Sequence, residues 1–384
     1  MKILLWAPLG AGTHYWGPGT NIFRLYKCLK NENIKITLVH GSSMQSQYPE
    51  LFDEQIKLSN YDSNSVVQKI LFFTKGKKWL EENYHKYDVF HGISAYQTTF
   101  YFAKMFHDLG KPAFVKITGE YGGFGDSGYL SKILGISRWR KRNLNSITGY
   151  ISISSTITDN LKNNGVALDK IVEIPNGVDI DRFSKLTTNT KEELYAKFDL
   201  SKKLTVSYIG GLTENKRVYE LVVAIGELVK EGLDMQLLLV GPDRSGADKI
   251  KEKIFEYIDS ENISDFVKYF PHTSEPEVFY NLSDIYVLNS RSEGMPNSLL
   301  EAMSCELACI VTPVSGSKDL ITDGFNGLYV DGSVEDLKEK LRKIIFDSDM
   351  RCLFGKQARS TILSAYSSNI VLDKHLEVFE ESLK

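Results

Sequence analysis

Two glutamates bracket a turn in the stretch SEGMPNSLLEAMSCE (292–306): Glu293 stands beside Gly294, Met295 and Pro296, and Glu301 lies in the run that follows. The segment IYVLNS (285–290) before the turn reads as a strand, and NSLLEAMSCE after it has helical spacing, so Asn297 or Ser298 is the expected N-cap. First-turn amides have no acceptor within their own helix and carry the positive end of its dipole, which makes an anion their natural guest. Carboxylates on both sides of an anion then need another partner. An ionised carboxylate accepts pairs of hydroxyl hydrogen bonds well. A ligand whose polyol parts flank a diphosphate, such as a nucleotide sugar, would engage both. For Glu301 a local account is also open, because Ser298 and Glu301 have capping-box spacing. Glu293 has no such local partner and is either a solvated charge or a ligand-binding one.

A second group of residues suits the same chemistry. In YIGGLTENKRVYELVVAI (208–225), Gly210 and Gly211 end a strand, and Lys216 and Arg217 sit at a helix start, where cations oppose the dipole unless an anion is bound. LLLVGPD (237–243) ends another strand in a turn at Gly241. The loop LGAGTHYWGPGTN (9–21) opens like a dinucleotide fingerprint, but after Gly10 and Gly12 the third glycine position holds Tyr15, which argues against a dehydrogenase. Its glycines are either a structural turn or a site of close ligand approach. The glycine-dense ITGEYGGFGDSG (117–128), around Glu120 and Tyr121, reads as a loop that orders on ligand binding.

To hold these loops the chain alternates short apolar runs with helical stretches. KILLWAP (2–8), IKITLVHG (34–41), DVFHG (88–92), AFVKITG (113–119) and GYISIS (149–154) precede a polar, lysine-rich stretch at 174–203, the best linker candidate. The rhythm restarts with LTVSYIGGL (204–212), MQLLLVGPD (235–243), VKYFP (267–271), IYVLNS, ACIVTP (308–313) and GLYV (327–330). Continuous apolar strands alternating with helices mean parallel sheets covered on both faces. The expected class is α/β, two Rossmann-like doubly wound domains facing a cleft, with ligands at the carboxyl ends of strands. A chain of 384 residues, 42% hydrophobic and 25% charged, has the apolar material for two such cores. Its net charge of -3 gives no global reason to expect nucleic acid. Cys28, Cys305, Cys309 and Cys352 lack the second pair that a zinc site needs and read as thiols in a reducing cytosol. The N-terminal apolar run stops at Pro8, too short for a signal peptide or a membrane span.

NSRSEGMPNSLLEAMSCELACIVTPVSGSKDLITDGFNGLYV resembles the signature region of retaining glycosyltransferases of family 4, which have the GT-B fold. The likeness continues through IPNGVDIDRF, YIGGLTENK and DVFHG and covers nearly the whole chain. It implies a metal-independent transfer of a sugar from a UDP- or GDP-sugar, with no cofactor beyond this co-substrate, to a glycan or lipid-linked saccharide in cell-surface polysaccharide synthesis. It implies an acceptor-binding domain at 1–182 with a final helix at 368–384 packed back on it, a linker at 183–203 and a donor-binding domain at 204–367. Glu293 with Gly294, Met295, Pro296 and Asn297 would hold the donor hexose and β-phosphate, with Ser298 beside them at the helix start, Glu301 the ribose, Lys216 the diphosphate, and Phe270 and Pro271 the base. Gly12, His14, Tyr15, Trp16 and Gly17, with Tyr121 of the second loop, would form the acceptor side.

Two departures stand out. Gly211 occupies the position where the family has an arginine, so a diphosphate contact is missing unless Arg217 supplies it. Glu120, His91 or His14 must replace a histidine that many members carry, although His91 could equally be a core residue. These departures keep a non-catalytic nucleotide-sugar-binding relative open as the alternative. Asp179 and Asp181 are not read as a metal-binding pair, because Asp179 belongs to the junction motif. Lys132, Arg138, Arg140, Lys141 and Arg142, interleaved with Trp139 in 129–143, are either a solvated face or a peripheral contact with anionic lipid at the cytoplasmic membrane face.

Overall fold

Strands that are shielded from water on both faces need no alternation of polar and apolar residues, and the unbroken burial of residues 3–7 and 235–240 shows this directly. The computed structural model describes residues 1–11, 17–29, 33–43, 49–63, 65–94, 97–119, 136–271 and 273–384. They form two compact units, Met1–Gly177 with Ser368–Lys384, and Val178–Ser367.

The first unit holds a parallel sheet of β1 (Lys2–Ala7), β2 (Lys35–His40), β3 (Glu54–Lys57), β4 (Val89–Ile93), β5 (Ala113–Ile117), β6 (Gly149–Ser152) and β7 (Ile171–Glu173), in the order β3-β2-β1-β4-β5-β6-β7. Its helices are α1 (Gly17–Lys27), α2 (Val66–Asn83), α3 (Gln97–Asp108), α4 (Ile136–Asn143) and α5 (Ser155–Asn163). The second unit holds β8 (Leu204–Ile209), β9 (Met235–Val240), β10 (Val267–Phe270), β11 (Ile285–Leu288), β12 (Ala308–Val311) and β13 (Leu328–Tyr329), in the order β10-β9-β8-β11-β12-β13. Around it lie α6 (Thr188–Lys197), α7 (Val218–Lys230), α8 (Ile250–Ser260), α9 (Pro276–Asn281), α10 (Asn297–Ser304), α11 (Ser315–Leu320), α12 (Val334–Phe346) and α13 (Ser348–Ala365). The last helix, α14 (Ser368–Glu381), returns to the first unit, where Val371, Leu372 and Phe379 join the core of Ile3, Leu5, Leu38 and Ile93.

Every apolar run named from the sequence forms a strand. The two strands it missed, β3 and β7, are edge strands of four and three residues with partly exposed side chains, too short to read as apolar runs. The linker assignment is corrected. Residues 183–203 belong to the second unit: Phe183 is buried, its carbonyl accepts Ser304 Oγ at 2.6 Å, and Asn281 Oδ1 accepts the Leu186 amide at 2.8 Å. The first passage between units lies at Gly177–Val178 rather than at 182. Composition misled here because α6 is polar around most of its surface and is anchored through Tyr195, whose hydroxyl donates to Leu282 O at 3.2 Å.

In each sheet the order reverses once, between β1 and β4 and between β8 and β11. At such a reversal the loops leaving neighbouring strands diverge and open a crevice. In the second unit those loops are 210–217 and 289–296, which contain Lys216 and Glu293.

Candidate active site

Lys216 and Glu293 meet in an ion pair, with 26% and 10% of their side chains exposed. Each comes from an irregular loop, so each needs support from below. Arg291 N donates to Asn215 O at 2.8 Å, Asn215 Nδ2 donates to Ser292 O at 3.0 Å, and the Arg291 guanidinium reaches Glu214 Oε1 at 3.0 Å. These bonds fasten the two loops edge to edge. The Glu293 turn is held from its other side, where Gly316 N and Ser315 Oγ both donate to Gly294 O at 2.9 Å. A Cβ on Gly316 would stand 2.7 Å from that carbonyl, so the approach requires glycine. Gly241 has a similar duty: with φ at 138°, a Cβ there would fall 2.0 Å from Gly210 O, where β8 and β9 end side by side.

Three buried tyrosines lie beneath these loops, and the sequence reading missed all of them. Tyr208 of β8 donates to Gly211 O at 2.8 Å, Tyr286 of β11 to Ser298 Oγ at 2.7 Å, and Tyr280 of α9 to Glu301 Oε2 at 2.8 Å. Burial pushes all three phenols well above their ordinary range; Glu293 adds to the effect on Tyr208 and Tyr286, and Glu301 to that on Tyr280. They stay protonated and act as fixed donors. Nothing but their position in apolar strand and helix segments could have signalled them.

The capping-box account of Glu301 is overturned. The helix begins at Asn297 with Pro296 at the N-cap, so neither Asn297 nor Ser298 caps it, and Ser298 is turned to Tyr286. Glu301, at 5% exposure, is held by Tyr280 instead. Met295 and Pro296 pack inward and fix the turn, while Leu299 N and Leu300 N both donate to Pro296 O.

Arg217 is the residue that could replace the missing arginine, and in the free protein it is turned to other partners. It takes a left-handed conformation (φ 48°), and its guanidinium leans on Gly332 and donates to Asp331 O at 3.4 Å. Phe270 is half-buried at the end of β10, its ring against Phe198 and Phe279, and Pro271 beside it is exposed. His91 is corrected: it is fully buried in β4, bonded through Nδ1 to the Tyr26 hydroxyl at 2.7 Å and set against His375 and Phe379, so it is a core residue out of a substrate's reach. Burial, with Lys116 nearby, pushes it down to about 3. Gly17 begins α1, whereas Gly12, His14, Tyr15, Trp16, Glu120 and Tyr121 lie outside the described residues. Within 129–143 the tryptophan is half-buried. Trp139 packs on Phe100 and Tyr101 of α3 and Arg140 is buried, which leaves Arg138, Lys141 and Arg142 exposed; residues 129–135 lie outside the described set.

Two family models match this chain, Glycosyltransferase Family 4 over residues 15–182 and Glycosyl transferases group 1 over residues 190–361. The chain belongs to the family 4 glycosyltransferases. Among the relatives of this glycosyltransferase is the capsular polysaccharide biosynthesis glycosyltransferase CapM of Staphylococcus aureus, 26% identical over 243 residues, 62% of this chain and 62% of CapM. Another is the N,N'-diacetylbacillosaminyl-diphospho-undecaprenol alpha-1,3-N-acetylgalactosaminyltransferase of Campylobacter jejuni, 26% identical over 61% of each chain. In both cases the chain spans less than two thirds of the relative's length. The crystal structure of Anabaena HepE in complex with UDP-glucose shares the fold, with a TM-score of 0.81 at 14% identity over 99% of this chain and 100% of HepE. The glycosyltransferase thus has the GT-B fold of two Rossmann-like domains.

Proposed function

We propose that this glycosyltransferase moves a hexose, with retention of anomeric configuration, from a UDP- or GDP-sugar to a glycan or lipid-linked saccharide in cell-surface polysaccharide synthesis. The observation that carries the proposal is the Lys216–Glu293 pair at the strand-order reversal of the second unit, with Glu301 buried on the helix that follows. Relatives named for capsule assembly and for a diphospho-undecaprenol acceptor support the acceptor class. A lipid-linked acceptor would bring a cytoplasmic enzyme to the inner membrane face, and no described helix is long and apolar enough to cross a membrane.

In this mechanism Glu301 receives the ribose hydroxyls and Glu293 the hexose hydroxyls. As the bond from the anomeric carbon to the β-phosphate oxygen breaks, positive charge grows on the sugar and negative charge on the diphosphate. Lys216 and the amides of the 294–298 turn stabilise that negative charge. The acceptor hydroxyl attacks from the leaving-group face and passes its proton to the departing β-phosphate oxygen, so no enzyme nucleophile, metal or organic cofactor enters the step. A panel of nucleotide sugars, with NAD as control, tests the reading by thermal shift, since a ligand that binds only the folded state raises the melting temperature. A UDP- or GDP-sugar should raise it; a shift with NAD alone would sink the proposal.

A further inference from the structure

We propose that Arg244 is the guanidinium that meets the donor diphosphate, in the space that Gly211 leaves by having no side chain. The inference rests on the nucleotide-sugar reading of the site and adds a residue to it.

Charge balance raises the need. Lys216 and Glu293 neutralise one another, so the pair alone offers no net charge to a diphosphate that carries about two negative charges in a nucleotide sugar. The nearby arginines are engaged elsewhere: Arg217 donates to Asp331 O, and Arg291 pairs with Glu214 and Glu220. Arg244 differs from both. It is exposed, and among the described residues its guanidinium has neither a hydrogen-bond acceptor nor an ion-pair partner.

The backbone that carries it is nevertheless fixed. Leu212 N donates to Pro242 O at 3.0 Å and Arg244 N to Leu212 O at 3.1 Å, so the chain ends of β8 and β9 run on together past the sheet. Ser245 Oγ, donating to Asp243 Oδ1 at 2.6 Å, closes the turn around the arginine. The Arg244 stem lies over Gly211: a Cβ on Gly211 would stand 3.0 Å from Arg244 Cδ, 3.4 Å from Cγ and 3.6 Å from Nε. Below, Tyr208 bonds the Gly211 carbonyl, and its phenol responds to both Glu293 and Arg244, with opposite sign. The guanidinium and the Glu293 carboxylate therefore lie within electrostatic range of one hydroxyl, on the ligand-binding edge of the sheet. A planar guanidinium matches phosphate oxygens two at a time, and one already resting on the backbone loses little freedom on binding. Gly211 is outside the left-handed region, so a side chain there would meet no backbone strain and would only have to displace the flexible Arg244 stem.

Calorimetric titration of the full chain with UDP, GDP, UMP and GMP tests the inference. Arg244→Ala should weaken the preferred nucleoside diphosphate by about 10- to 100-fold and the matching monophosphate by less than about threefold, with the melting temperature unchanged. The double variant Gly211→Arg with Arg244→Ala, which brings a guanidinium from the neighbouring strand end, should regain most of the loss. Diphosphate binding within about twofold of wild type in Arg244→Ala would overturn the assignment, as would an equal loss for both nucleotides or a folded double variant no better than the single one. A wild-type protein that binds neither UDP nor GDP would instead refute the nucleotide-sugar reading, and this inference with it.

Discussion

Replacing Glu293 by glutamine should separate two measurable quantities, nucleotide affinity and transfer rate. In the free protein the carboxylate is only 10% exposed and holds Lys216 as an ion pair. An incoming diphosphate must share that lysine with Glu293 and also sit near the carboxylate's own charge. Glutamine keeps the shape, releases Lys216 and removes the like charge, so nucleoside diphosphate affinity should hold or rise by up to about tenfold, roughly 1.4 kcal/mol. The sugar loses a charged acceptor at a hydroxyl whose hydrogen bond strengthens as positive charge develops on the ring. A loss of about 3–4 kcal/mol in the transition state corresponds to a rate lower by about 100- to 1000-fold. Calorimetry with UDP or GDP and a radiolabelled transfer assay, run on the same preparation, give both numbers. The reasoning fails if affinity falls in step with the rate, because Glu293 would then serve the nucleotide or the fold rather than the sugar. It fails equally if the rate is unchanged.

Two further outcomes follow from buried groups. Tyr280→Phe removes the donor to Glu301 Oε2 from a site with little water and should cost about 1–3 kcal/mol of stability. The same variant should also weaken discrimination between ribose and 2′-deoxyribose nucleotides; a melting temperature and ribose preference equal to wild type would remove Tyr280 from the site's support. In acid, the first unit should unfold before the second. Burial, with smaller contributions from neighbouring charges, lowers His40 to about 4 and His91 to about 3, and it pushes His375 well down. The unfolded chain therefore binds more protons than the folded one below about pH 6.5, and stability present above that pH is lost at roughly 1.4 kcal/mol per histidine and pH unit as pH falls. The three histidines and all four tryptophans, Trp6, Trp16, Trp79 and Trp139, belong to the first unit's stretch of chain. Tryptophan fluorescence should report a melting temperature that drops between pH 6.5 and 5, ahead of carboxylate titration, and a flat profile there would contradict the burial argument.

Several features of the site were legible without coordinates because they are local. A turn of glycine and proline between a strand and a helix places Glu293 at the carboxyl edge of a sheet, and any fold with parallel strands puts it there. The Glu301 capping box failed for an equally local reason: with Pro296 as the N-cap, the helix begins two residues earlier than a Ser298 cap would start it. His91 was ambiguous because the sequence run DVFHG stops just after it, whereas β4 continues to Ile93 and keeps it inside the strand. The return of α14 onto the first unit's core makes it a core residue.

The sequence by itself determined the alternation of strand and helix, hence the parallel sheets, and the loops on which chemistry had to lie. Those follow from which residues can be shielded from water and which backbones can turn, properties that neighbours in the chain fix. Only the tertiary structure decided the partners: Lys216 with Glu293 across 77 positions, Tyr280 under Glu301, Arg244 over Gly211, and 183–203 as part of the second unit. Pairings of this kind arise where separate strands end side by side, and strand order is set by the packing of the whole sheet rather than by any one segment.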